Sequence, residues 1–306
     1  MLKKIRHWLY RWNWLKRYQS IDSYRYLKRL ASGKDSDGGE YFSDKDQAQF
    51  TAGGEILVRF PFRGQYCQMY CRPNSHIEAG LVRHSEHSMR LQHIIAEYLH
   101  EGVFVDVGAN VGTFSIPLAK GFPRSLVVAF EPNPSAHERF VRNMRLNAVS
   151  NIQLRIEGVG EDEGEFTLYA FSGLDMGQSS FLPPTHDQDL PMEITVPVVT
   201  LDNALEEIDR KIDVIKIDVQ GKEISVLRGG KATIEKQRPL ILLEHEDCNF
   251  SDPETARTAR ASLKEFFSAV RYDVFYITRK DVNLLFPVRW ESSLNGDLLA
   301  IPRTVC

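Results

Sequence analysis

From residue 103 onward, short apolar runs alternate with helix-like stretches, and this alternation constrains the fold more than any other feature of the chain. The runs are VFVDV (103–107), LVVAF (126–130), IQLRI (152–156), VIKID (214–218), LILLE (240–244), DVFYI (273–277) and LLAI (298–301). Helical periodicity lies between several of them, at about 112–120, 134–147, 223–236 and 255–270. Apolar strands separated by helices predict a mostly parallel sheet covered on both faces. Two further strand-like runs, EFTLYAF (165–171) and EITVPVV (193–199), bracket a Gly/Ser/Pro-rich loop. They predict an inserted hairpin with a flexible tip at about 160–200.

Upstream, ILVRF (56–60) and QYCQMYC (65–71) flank Pro61-Phe62-Arg63-Gly64, a hairpin pattern. Leu91, Ile94, Ile95, Tyr98 and Leu99 recur at helical spacing within 86–100. Residues 31–55 are polar and rich in Gly, Asp and Ser, and are expected to be a linker or loose loop. The sequence thus divides into 1–55, an arm and linker; 56–100, a hairpin and helix packing on the core; and 101–306, the α/β domain.

Charge sets the arm apart. Residues 1–30 carry nine Lys/Arg against the single acid Asp22, whereas the whole chain has a net charge of −3. Leu2, Ile5, Trp8, Leu9, Trp12 and Leu15 share one arc of a helical wheel. A basic amphipathic helix with interfacial aromatics can lie on an anionic membrane surface. Docking on the chain's own body or on a second copy is the alternative, and two-fold association is the commonest form of self-assembly. Nothing in the chain resembles a nucleic-acid module. No window of about 18 apolar residues exists to span a membrane, and no apolar core with a cleavage site marks a secretory signal. Four cysteines (Cys67, Cys71, Cys248 and Cys306) are too few for a disulfide framework or a paired zinc site. Reduced thiols place the chain in the cytoplasm, with residues 1–30 able to bind peripherally at the inner membrane face.

Two strand ends carry the chemistry. The first runs Asp106-Val107-Gly108-Ala109-Asn110-Val111-Gly112-Thr113, a strand, a glycine turn and a helix start. Glycine admits close backbone approach, and a helix start offers free N–H groups. Asn110 occupies the middle glycine position of the dinucleotide fingerprint, which argues against a nicotinamide oxidoreductase, and no Gly-Lys-Ser/Thr follows to make a P-loop. The second strand ends Phe130-Glu131-Pro132-Asn133, placing an acid where ribose hydroxyls are held in dinucleotide folds. Together these corners indicate an adenosine-containing ligand without a pyrophosphate clamp. S-adenosylmethionine has that form, and its cationic groups suit an acidic turn such as Asp106.

The sequence resembles the FkbM-type methyltransferases. The resemblance rests on VFVDVGANVGTFS (103–115), VVAFEPNPSAHERFVRNMRLN (127–147), NIQLRIEGVGEDEGEFTLY (151–169), VPVVTLDNAL (196–205), IDVIKIDVQGKEISVLRGG (212–230) and RPLILLEHE (238–246). It implies a class I methyltransferase (Rossmann-like) α/β fold with a seven-stranded, mostly parallel sheet and an antiparallel last strand. It also implies S-adenosylmethionine as cofactor, S-adenosylhomocysteine as product, and O-methylation of a hydroxyl, often on a sugar of a glycolipid, polysaccharide or natural product. In the family's I-D-V-E-G-A-E segment this chain has Gln220 and Lys222, while Asp218, Gly221 and Glu223 remain.

On that resemblance Asp106, Gly108, Ala109, Asn110, Gly112 and Thr113 hold the methionine end of the cofactor. Glu131 binds the ribose beside Pro132 and Asn133, and Glu157, Gly158 and Val159 lie near the adenine. Asp218 is expected where methyl and acceptor meet, with Glu244 and His245 as further candidates for a base that takes the acceptor's proton. A weaker alternative gathers Asp218, Glu244 and Asp247 around Mg²⁺. The rival of another class is a non-catalytic cofactor-binding scaffold whose arm recruits a partner.

Overall fold

The computed structural model describes residues 48–50, 55–72, 78, 86–172, 177–184, 191–277 and 285–303. The basic arm at 1–30 lies outside the described residues.

The chain enters a three-stranded antiparallel sheet, β1 (Ala48–Phe50), β2 (Ile56–Phe62) and β3 (Gln65–Cys71), in the order β1-β2-β3. β1 falls inside the stretch expected to be a linker. Three residues are too few for sequence periodicity to reveal, and pairing with β2 fixes them as a strand. Strand alternation buries Cys67, Met69 and Cys71 of β3. The opposite edge of β3 is covered rather than exposed. Asn143 and Asn147, one helical turn apart, accept from the backbone N–H groups of Tyr70 and Gln68 at 3.0 and 2.9 Å. Helix α1 (Glu86–Tyr98) follows, with Leu91, Ile94, Ile95 and Leu99 buried.

The main sheet holds β4 (Val103–Val107), β5 (Leu126–Phe130), β6 (Ile152–Arg155), β10 (Ile212–Ile217), β11 (Leu240–Glu246), β12 (Tyr272–Ile277), β13 (Leu285–Pro287) and β14 (Asn295–Pro302). Its order is β13-β12-β14-β11-β10-β4-β5-β6. The seven expected strands are present, and β14 runs antiparallel to β11 as expected. The eighth strand, β13, is a three-residue edge hairpin partner of β12. The chain order reverses between β4 and β10, making a topological switch point outside their carboxyl ends.

Helix α2 (Ser115–Gly121) packs against α1, and α3 (Pro134–Asn147) packs against α2. On the other face lie α4 (Leu201–Ala204), α5 (Glu223–Gly229), α6 (Lys231–Gln237) and α7 (Pro253–Ala269). The helix expected over 223–236 is two helices broken at Gly230. A Cβ on Gly229 would lie 1.9 Å from the Gly160 carbonyl oxygen, so that close approach demands glycine where the first of them ends. The insert is a hairpin of β8 (Gly164–Ala170) and β9 (Met192–Val199), which β7 (Gly158–Val159) joins in parallel.

Candidate functional site

The alternation of side chains along a strand places Asp106, Lys216, Asp218, Glu244 and Asp297 on one face of the sheet, the face of α1 to α3. Register completes the arrangement: Lys216 pairs with Asp106, and Glu244 with Asp297. Glu131, just beyond β5, falls on the same face. The result is a row of five carboxyl groups and one ammonium across the carboxyl ends of the strands.

Lys216 is the hinge of this row. Its Nζ lies 3.3 Å from Asp106, 3.5 Å from Asp218 and 3.4 Å from the Gly108 carbonyl, and 5.1 Å from the centre of the Phe114 ring. Burial alone would strip its proton, but the facing charges of Asp106 and Asp218 win and hold it above its ordinary pKa. Asp106 also accepts from the Ser115 hydroxyl at 2.6 Å and is wholly inaccessible. This corrects its expected role. Its carboxylate supports the turn from beneath and does not open on the crevice.

The turn itself has left-handed backbone at Gly108 (φ +78), Asn110 (φ +50) and Gly112 (φ +88). A Cβ on Gly108 would sit 1.9 Å from the Asp218 carbonyl oxygen, so the turn lies directly against the segment that follows β10. Ala109 and Thr113 are buried. Glu131 accepts from the backbone N–H of Asn110 at 2.7 Å through one oxygen and of Asn133 at 2.8 Å through the other. Each oxygen keeps a second acceptor direction. Burial pushes its pKa up to about 7, against those two hydrogen bonds.

The insert closes over this corner. Asn133 caps α3 and donates to the Phe171 carbonyl and to the Ser179 hydroxyl, both at 2.8 Å. The next residue, Ser180, donates to the Gln220 carbonyl at 2.8 Å and is buried. Part of the tip expected to be flexible is therefore tied down; 173–176 and 185–190 lie outside the described residues. With its amide fully engaged, Asn133 holds the insert and does not line an open pocket. Pro132 is half-buried beside it. Glu157 pairs with Arg155 at 2.7 Å, which lowers its pKa. Val159 belongs to the core and Gly158 lies under the Phe181 ring, so neither side chain position faces a crevice.

At the far end, Asp218 is half-buried. Its carboxylate accepts from the Gln220 amide at 2.9 Å and shares a hydrogen bond with Glu244. The Asp218 charge, burial and Asp297 raise the Glu244 pKa to about 10. These causes favour the proton-carrying form of Glu244. His245 points to the opposite face and is wholly buried, its nitrogens 3.8 Å from Glu223 and 3.4 Å from Asp247. That burial removes it as a candidate base. Asp247 is engaged by Arg260 at 2.5 Å and the Ser293 hydroxyl at 2.7 Å. It does not join Asp218 and Glu244, and among the described residues no three His, Cys, Asp or Glu side chains converge as metal ligands.

Sequence reasoning missed Lys216, Asp297, Ser179, Ser180 and Gln92. Pro117 has no N–H to give the Thr113 carbonyl its helical partner, and the Gln92 amide of α1 supplies one at 2.8 Å.

A family model, the methyltransferase FkbM domain, matches residues 106–271, more than half of the chain. The chain belongs to the FkbM methyltransferase family. It is a methyltransferase, and the family implies S-adenosylmethionine as methyl donor. It is 29% identical over 183 residues to methyltransferase 1 of Beauveria bassiana, covering 53% of this chain and 71% of that one. It is 27% identical to 2-O-methyltransferase NoeI of Sinorhizobium fredii, covering 62% and 82%. It is 28% identical to hexuronic acid methyltransferase AglP of Haloferax volcanii, covering 61% and 74%. A crystal structure of an FkbM methyltransferase from Methylobacillus flagellatus KT aligns with a TM-score of 0.42 at 18% identity, covering 65% of this chain. This chain spans 43% of that protein's length. Among the described residues no helix is long and apolar enough to cross a membrane.

Proposed function

We propose that this FkbM-family chain is an S-adenosylmethionine-dependent O-methyltransferase acting on a sugar hydroxyl. The observation that carries the oxygen acceptor is the Asp218–Glu244 pair at the switch point. It sets two carboxyl groups that share a hydrogen bond beside the glycine turn. The names of NoeI and AglP support a sugar.

The residues fit the cofactor at the adenosine end. Both oxygens of Glu131 are fixed by backbone N–H groups and keep free acceptor directions, the requirement for holding a ribose diol. The backbone of Gly108, Asn110 and Gly112 bounds the methionine end. When bound, the cofactor supplies a methyl group on a sulfonium. Asp218 orients the acceptor hydroxyl and takes its proton, since a neutral alcohol is a poor nucleophile. Glu244 is the proton-holding partner of that base. Lys216 places its ammonium between the Asp106 and Asp218 carboxyl groups, 3.3 and 3.5 Å away.

Titration with S-adenosylhomocysteine tests this reading. Wild type binds, and Glu131→Ala loses about 1.5–3 kcal/mol, the scale of a hydrogen bond to a charged group. Absence of binding by folded wild type sinks it.

Residues 1–30 carry nine Lys/Arg and three tryptophans, which favours a lipid-linked or envelope glycan at an anionic membrane face as acceptor. Deletion of residues 1–30 then abolishes co-sedimentation with anionic vesicles; undiminished co-sedimentation removes this part of the proposal.

A further inference from the structure

We propose that Gln220 is a positioning residue that holds the Asp218 carboxylate toward the methyl-transfer end of the crevice. The inference rests on the cofactor reading above. Gln220 has φ +52, a left-handed conformation that non-glycine residues seldom adopt, and Gly221 follows with φ +100. Three contacts hold the segment there. The backbone N–H of Asp218 donates to the Val107 carbonyl at 3.0 Å, and Ser180 donates to the Gln220 carbonyl at 2.8 Å. The Gly221 N–H donates to Glu223 at 2.8 Å. The backbone so held aims the Gln220 carboxamide back at Asp218, where it donates at 2.9 Å.

The residue type decides what this contact can do. Lys216 faces the other oxygen of Asp218 at 3.5 Å. Asp218 is thus gripped by an ammonium on one side and an amide on the other, with Glu244 as a third partner. A glutamate at 220 would put a carboxylate there. An ionised carboxylate has no proton to donate and would add a charge to a row already holding five carboxyl groups. The amide donates without charge. It keeps Asp218 pointed without competing for the hydrogen bond that Asp218 shares with Glu244.

The charge of Asp218 is read by comparing two ligands of nearly one shape. S-adenosylmethionine is a sulfonium cation, and S-adenosylhomocysteine is a neutral thioether. Gln220→Met removes the donor at constant charge. Gln220→Asn keeps an amide residue that tolerates left-handed backbone but shortens its reach by one methylene. We expect both variants to bind S-adenosylhomocysteine as wild type does, while affinity for S-adenosylmethionine relative to it falls about fivefold. Thermal unfolding verifies that both fold. A ratio unchanged in both variants, or equal weakening of the two ligands, overturns the positioning role and leaves the cofactor reading standing. Wild type that binds neither ligand overturns both.

Discussion

Glu131 and Glu244 are both glutamates at the carboxyl end of a strand, on the same face of one sheet, and both are held above the ordinary carboxylate range. Their causes differ. Burial raises Glu131 to about 7 while two backbone N–H groups pull the other way. Glu244 reaches about 10 first because of the Asp218 charge, then burial, then Asp297. The first corner is built from backbone and presents fixed acceptors. The second is built from crowded side chains and stores a proton. One residue type serves binding in one place and proton handling in the other, and the neighbours set the difference.

Lys216→Met breaks the comparison most severely. It removes the single ammonium of the row and leaves Asp106 buried with the Ser115 hydroxyl but no counter-charge. We expect a stability loss of about 3–5 kcal/mol by chemical denaturation. Gly108→Ala comes next. Its Cβ would meet the Asp218 carbonyl at 1.9 Å on left-handed backbone, and we expect a loss of about 3 kcal/mol in thermal unfolding. Stability near wild type in either variant refutes the packing of the two corners.

The finest probe is pH. A carboxyl whose folded pKa is raised keeps a proton the unfolded chain has lost, so its contribution declines as pH rises between the two values. Glu244 spans pH 4.5 to about 10, and Glu131 only 4.5 to about 7. Glu244→Gln should therefore flatten the fall of stability above pH 7, by at most about 1.4 kcal/mol per pH unit. Glu131→Gln should alter only the slope below it. Identical windows for the two variants would erase the distinction.

The backbone-built corner was legible in the sequence, because a strand, a glycine turn, a helix and an acid after the next strand are local patterns. The side-chain corner was legible only at its edges. Asp218 and Glu244 stood out as acids ending strands, but Lys216 was hidden within the apolar run VIKID and Asp297 directly precedes LLAI. Their meeting depends on register between strands distant in the chain. Period-two alternation did contain one usable signal: Asp218 and Glu244 share a face that His245 cannot reach. Ser179 and Ser180 sat in a stretch whose composition suggested only a loop. β1 and β13, at three residues each, fall below what alternation can reveal.

Ser179 and Ser180 are consecutive, yet one binds Asn133 beyond β5 and the other binds Gln220 beyond β10. β4 lies between those two strands in the sheet. A single peptide unit therefore fastens both flanks of the glycine turn, and neither bond can be released far without straining the other. A displacement of this peptide unit that breaks the hydrogen bond at one corner therefore also disturbs the one at the other.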